Sequence, residues 1–146
     1  MTETGSSALV CRHVAEVVNA QDLDVVDAIY HADLVFNDPF AAGGAVHGYA
    51  GLKAFLLGIY TAMPDFHFTL QDVLEDGNRA AWRGTVSGTL RGDFAGIPAT
   101  GQRFAAPICE VFQIRHGKIA EVWAYTDPLS ILQQVGALPA PAPEAS

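Results

Sequence analysis

The stretch Phe104-Ala105-Ala106-Pro107-Ile108-Cys109-Glu110-Val111-Phe112-Gln113-Ile114-Arg115-His116-Gly117-Lys118-Ile119-Ala120-Glu121-Val122-Trp123-Ala124-Tyr125-Thr126-Asp127 holds two β-prone runs separated by the short break His116-Gly117. Such a break between alternating runs marks a hairpin. Upstream, the pattern repeats. A Gly- and Pro-rich link at 92–101 precedes it, then a run at 79–90, a turn at Asp76-Gly77-Asn78 and a run at 66–74. Consecutive strands joined by short turns predict an antiparallel meander.

Before the meander the period changes to that of a helix. Leu9, Val10, Val14, Val17 and Val18 recur at helical spacing, and Asp22 can cap a second short helix through Leu23, Val26 and Tyr30. A β-prone run at 34–40 is cut by Pro39, which cannot donate to a ladder. Leu52, Phe55, Leu56, Ile59, Tyr60 and Met63 outline a third helix that stops near Pro64. After Asp127, Leu129, Ile131 and Leu132 open a last short helix ending at Gly136. Helices followed by a long curved antiparallel sheet make an α+β layer pair, a cone with the helices on the concave face and a central pocket.

The chain has 146 residues, half of them apolar and 16% charged, which predicts one domain, 7–138, between flexible tails at 1–6 and 139–146. Sixteen acidic against eight basic residues give a net charge of -8 with no basic cluster, which argues against nucleic acid or an anionic membrane as partner. Cys11 and Cys109 lack metal or redox spacing and read as free, buried thiols. With no export signal or spanning segment in the sequence, the expected location is cytoplasmic.

Strand side chains alternate between faces, so parity places each acid. Glu110 shares a face with Phe104, Ala106, Ile108, Phe112 and Ile114, and Asp127 shares one with Ile119, Trp123 and Tyr125. A carboxyl desolvated on an apolar face has a raised pKa and suits proton exchange near neutrality. The bland alternatives are an ion pair of Glu110 with Arg83 and an N-cap role for Asp127 ahead of Pro128. Asp38 and Asp65, each beside a proline at an element end, are the other candidate acids. His13, His31, His47, His67 and His116 show no metal-ligand spacing, which argues against a metal site. His47 and His67 are candidate pocket residues, as are Trp82, Trp123, Tyr125, Phe112, Tyr60 and Met63. No phosphate loop or serine nucleophile motif is present.

An ordered set of segments, Met63-Pro64-Asp65, Asp76-Gly77, Ser87-Gly88-Thr89, Gly96-Ile97-Pro98-Ala99-Thr100-Gly101, Gly117-Lys118-Ile119-Ala120-Glu121-Val122-Trp123 with Asp127 following, and Leu132-Gln133-Gln134-Val135-Gly136, resembles the SnoaL-like polyketide cyclase family of the nuclear-transport-factor-2-like superfamily. The resemblance implies an NTF2-like α+β barrel, usually a homodimer, needing neither metal nor cofactor. It implies an enzyme of secondary metabolism that closes a ring on a polyketide-like substrate by intramolecular aldol chemistry, with Asp127 as general acid/base. Glu110 stands where many members carry a histidine. A second branch of the superfamily, epoxide hydrolase/cyclases, resembles the chain at Asp38 and Asp65. Isomerase, dehydratase and non-catalytic binding roles also occur on this architecture.

Overall fold

The computed structural model describes residues 5–140. The order is α1 (Ser6–Arg12), continued by a π-helical turn (His13–Asn19), a 3₁₀ turn (Leu23–Val25), α2 (Val26–Ile29), β1 (Tyr30–Asn37), a 3₁₀ turn (Ala42–Gly44), β2 (Ala45–His47), α3 (Gly48–Ala62), β3 (His67–Asp76), β4 (Arg79–Thr89), β5 (Arg103–Arg115), β6 (Lys118–Tyr125) and α4 (Pro128–Gln134). The six strands form one curved, unclosed sheet in the order β2-β1-β6-β5-β4-β3. The meander β3 to β6 is antiparallel, as the sequence predicts.

One pair departs from that expectation. β1 runs parallel to β6, and the crossover that parallel pairing requires is the whole chain between them. This pairing draws Tyr30 out of the second helix, because Tyr30 is the register partner of Ile119. The strand therefore starts four residues earlier than its apolar run and stops at Asn37, just before Asp38-Pro39.

The helices lie against the concave face of the sheet. Leu9, Val10, Val17, Leu52, Leu56 and Ile59 meet Phe36, Phe68, Trp82, Phe112 and Val122 in one core. Burial on this scale is the main source of stability, at about 25 cal/mol per Å² of apolar surface. At Gly84 the β3 backbone comes so close that a Cβ would lie 1.9 Å from the Thr69 carbonyl oxygen, so only glycine permits this crossing of strands.

Three further expectations are corrected. Ser6 is no tail residue: it is buried in α1 and its hydroxyl donates to the Gly77 carbonyl at 2.7 Å. Of the other expected tail positions, Gly5 is the N-cap of α1 and Pro139 and Ala140 are exposed outside any helix or strand, while 1–4 and 141–146 lie outside the described residues. Both cysteines are free, but Cys11 is exposed and Cys109 only half-buried. β6 does not keep its parity: Ile114 pairs with Ile119 while Gln113 pairs with Glu121, so Ala120 is an extra residue in the ladder. Ile119 and Ala120 are both buried, and beyond this bulge the inward residues are Val122 and Ala124 rather than Trp123 and Tyr125.

Candidate active site

The first helix changes from α to π geometry at His13, with Ala20 N–H reaching back five residues to the Ala15 carbonyl at 3.0 Å. A π turn widens the helix locally and is often found where a side chain serves a function. Here it seats the His13 ring, fully buried, among Phe112 (5.3 Å between centroids, edge-on), Phe36 and Phe68. His13 Nε2 lies 2.8 Å from Glu110 Oε1, and Trp82 Nε1 donates to the same oxygen, also at 2.8 Å. His13 Nδ1 meets the Tyr30 hydroxyl.

Proton assignment follows from donors and acceptors. Burial, reinforced by the Glu110 charge, pushes the Tyr30 phenol well above its usual value, so Tyr30 keeps its proton and donates it to Nδ1. Nε2–H then donates to Glu110, which satisfies every contacting atom. Trp82 on β4, Glu110 on β5, Tyr30 on β1 and His13 on the first helix are thus tied into one dry network. No enclosed side-chain nitrogen or oxygen among the described residues lacks a partner.

In front of this network lies an apolar cavity. Its walls come from α3 (Phe55, Ile59, Met63), from the strands (Phe68, Val86, Phe104, Ile108), from the 92–101 link (Phe94, Ile97) and from α4 (Ile131, Leu132, Val135). Among the described lining residues, Asp38 and Thr126 alone carry oxygen-bearing side chains. Phe68 is the partition: it lines the cavity and packs 4.9 Å from Trp82 and 6.2 Å from His13, centroid to centroid.

Asp38 follows β1 and is turned into the cavity by an Asx turn in which Phe40 N–H donates to Oδ1 at 2.8 Å. Burial raises its pKa to about 6, the Phe40 hydrogen bond works against that rise, and the Glu110 charge adds to it. A carboxyl with this proton affinity in an apolar chamber can both accept and return a proton at neutral pH.

The structure divides the sequence-predicted residues into groups. Asp38 and Met63 line the cavity; Glu110, Trp82 and Phe112 form the dry cluster behind it. Tyr60 is buried but donates its hydroxyl to the Val17 carbonyl at 2.6 Å, away from the cavity. Asp127 is exposed and caps α4, accepting from Ser130 N–H at 3.1 Å; the bulge at Ala120 breaks the parity that put it on an inner face. Trp123 and Tyr125 are turned outward by the same bulge, Tyr125 being 60% exposed.

Asp65 is also exposed, fastening the end of β4 by accepting from the Thr89 amide (2.8 Å) and hydroxyl (2.7 Å). Desolvation opposes its charge, but the Thr89 bonds prevail and hold its carboxyl below the usual value. The expected pair Asp38 with Asp65 is therefore not assembled. His47 and His67 are exposed on β2 and β3. Arg83, the bland partner for Glu110, instead faces Asp72 at 3.5 Å on the outside. Among the described residues no cluster of histidine, cysteine and acidic side chains has the make-up of a metal site.

Sequence reasoning missed His13 and Tyr30. The signal for His13 was present: it lies four residues after Leu9 and four before Val17, on the helix face that carries the core.

Comparison with known proteins agrees with this architecture. TsrD from Streptomyces laurentii is 28% identical over 94% of this chain and 99% of its own, with a TM-score of 0.80. IdmH from Streptomyces antibioticus is 26% identical over 90% and 98%, with a TM-score of 0.75. A Catenulispora acidiphila protein with a ketosteroid isomerase-like fold, at 17% identity, 88% and 92% coverage and a TM-score of 0.74, shares the fold alone. No curated protein matches the sequence. Residues 8–135 match the family of SnoaL-like polyketide cyclases, and the chain belongs to that family.

Proposed function

We propose that the protein is a cyclase that closes a ring on an apolar, polyketide-like substrate by intramolecular aldol addition, with Asp38 as its proton-transfer group. The observation that carries this reading is a lone carboxyl of raised proton affinity in an otherwise apolar chamber. Ionised Asp38 takes the proton from a carbon flanked by two carbonyls. The resulting enolate attacks a second carbonyl carbon of the same molecule, forming the C–C bond. The new alkoxide recovers the proton from the Asp38 carboxyl, so acid and base are regenerated together.

The chamber contributes by folding the substrate. Holding both reacting ends in one small apolar space can supply about 7–11 kcal/mol of the barrier when geometry is optimal. Glu110 does not touch the substrate in this reading. Its charge, held by His13 and Trp82 behind Phe68, is a fixed field that raises the proton affinity of Asp38. Asp127 is assigned to capping, not to proton transfer.

The aldol reading is preferred to epoxide opening because the latter needs two facing carboxyls, and Asp65 is engaged by Thr89 on the outside. A homodimer joined through the outer face of the sheet, beside Trp123 and Tyr125, is part of the proposal. Turnover of a β-polyketone methyl ester by the wild type and its loss in Asp38→Asn tests the reading. Retained ligand binding with no product from the wild type would make the protein a carrier instead.

A further inference from the structure

The chamber is too small in this structure for the ligand it is proposed to hold. Its free interior is about 70 Å³, room for roughly half a dozen waters by the volume a single water needs. Sites for drug-sized ligands span about 300–1,000 Å³. Some part of the wall has to move, and the structure singles out one part.

Residues 93–99 form a miniature hairpin at the mouth. Phe94 N–H donates to the Ile97 carbonyl at 3.0 Å and Ile97 N–H returns a bond to Phe94 at 2.8 Å. The two central residues, Ala95 (φ 51) and Gly96 (φ 79), adopt the left-handed backbone that a tight two-residue hairpin requires. Asp93 Oδ1 closes the unit by accepting from Ala99 N–H at 2.9 Å. Among the described residues, no hydrogen bond joins 93–99 to the rest of the protein.

The base, in contrast, is fixed. Arg91 and Gly92 N–H both donate to the Ala62 carbonyl at 2.9 Å, and Gly101 N–H donates to the Leu90 carbonyl at 2.8 Å. Gly92 is pressed against α3, where a Cβ would come within 3.2 Å of Ala62 Cα. The tip holds to the body only by apolar contact: Phe94 sits 6.2 Å from Phe40 and 6.5 Å from Phe55, centroid to centroid, and Ile97 lines the same mouth. A unit that is internally bonded, anchored at its base and attached at its tip by two side chains can swing without breaking a hydrogen bond.

We propose that residues 93–99 are a lid and that Phe94 and Ile97 are the gate that selects ligands by size. The inference rests on the chamber being the ligand site, but its test reads the rate of binding rather than turnover, so it can fail while the cyclase reading stands, and the reverse.

The probe is prodan, a neutral fluorescent aryl ketone of two fused rings. By stopped flow, Phe94→Ala and Ile97→Ala, each shown folded by circular dichroism, are expected to bind prodan roughly tenfold faster than wild type, as expected when gate opening limits entry. Binding by the variants but not by the wild type would support the gate equally. The proposal is overturned if wild type and variants bind prodan at the same rate, or if neither wild type nor variants bind.

Discussion

His13 Nε2 stands 2.8 Å from Glu110 Oε1, both side chains 1% exposed, and this contact joins the first helix to β5 across 97 residues of chain. It is a fully buried polar link and lies where helix layer and sheet meet. Its energetics are those of a buried pair: little gained over a well-packed apolar substitute, much lost when one partner is left alone.

That asymmetry predicts a pattern in urea denaturation. Glu110→Leu leaves the buried His13 and Trp82 N–H groups unpaired, and His13→Leu takes a donor from the buried Glu110 carboxylate and the acceptor from Tyr30, so each is expected to cost about 2–5 kcal/mol. The double variant His13→Leu/Glu110→Leu is expected to cost less than the two together, with a coupling of roughly 1–3 kcal/mol. Strict additivity would mean the two groups do not share one network.

Asp38 makes stability fall with pH over a defined window. Its carboxyl binds a proton up to about pH 6 in the folded protein but only to about pH 4 when unfolded. Between these values the folded state holds the extra proton, so unfolding free energy declines as pH rises, and above about pH 6 the whole loss is present. Asp38→Asn removes it. The variant is expected to gain about 1–3 kcal/mol over wild type at pH 7 and close to nothing at pH 3.5. Equal differences at both pH values would show that Asp38 is not desolvated.

Asp127 caps α4 and is not among the residues that line the chamber. Asp127→Asn, which preserves the cap, is expected to leave stability and turnover near wild type, while Asp127→Ala costs about 1 kcal/mol. A loss of turnover in a folded Asp127→Asn variant would return this residue to the chemistry.

How far the sequence is legible depends on the reach of each signal. The meander is written in short-range alternation and turn residues, and its strands fall within about two residues of expectation, inside the ordinary scatter of element ends. Glu110 is placed inward because β5 pairs with β4 without interruption from Arg103 to Gln113. Asp127 is misplaced because one inserted residue, Ala120, reverses the face of everything after it, and a bulge leaves no mark in alternation. Tyr30 is misread as helix because its strand exists only through pairing with Ile119, 89 positions away. His13 is overlooked for a different reason: metal-ligand spacing says nothing about a histidine whose partner is one buried carboxylate.

The central claim, that Asp38 is the proton-transfer group of the chamber, is tested most directly by the pH dependence of kcat/KM for ring closure of a β-polyketone methyl ester in wild type, Asp38→Asn and Asp127→Asn. Wild type and Asp127→Asn should share a profile that rises through about pH 6, where Asp38 ionises, while Asp38→Asn should fall by roughly 10²–10⁴-fold and lose that inflection. A folded Asp38→Asn protein that turns over within a few-fold of wild type, or that keeps the inflection, would contradict the account.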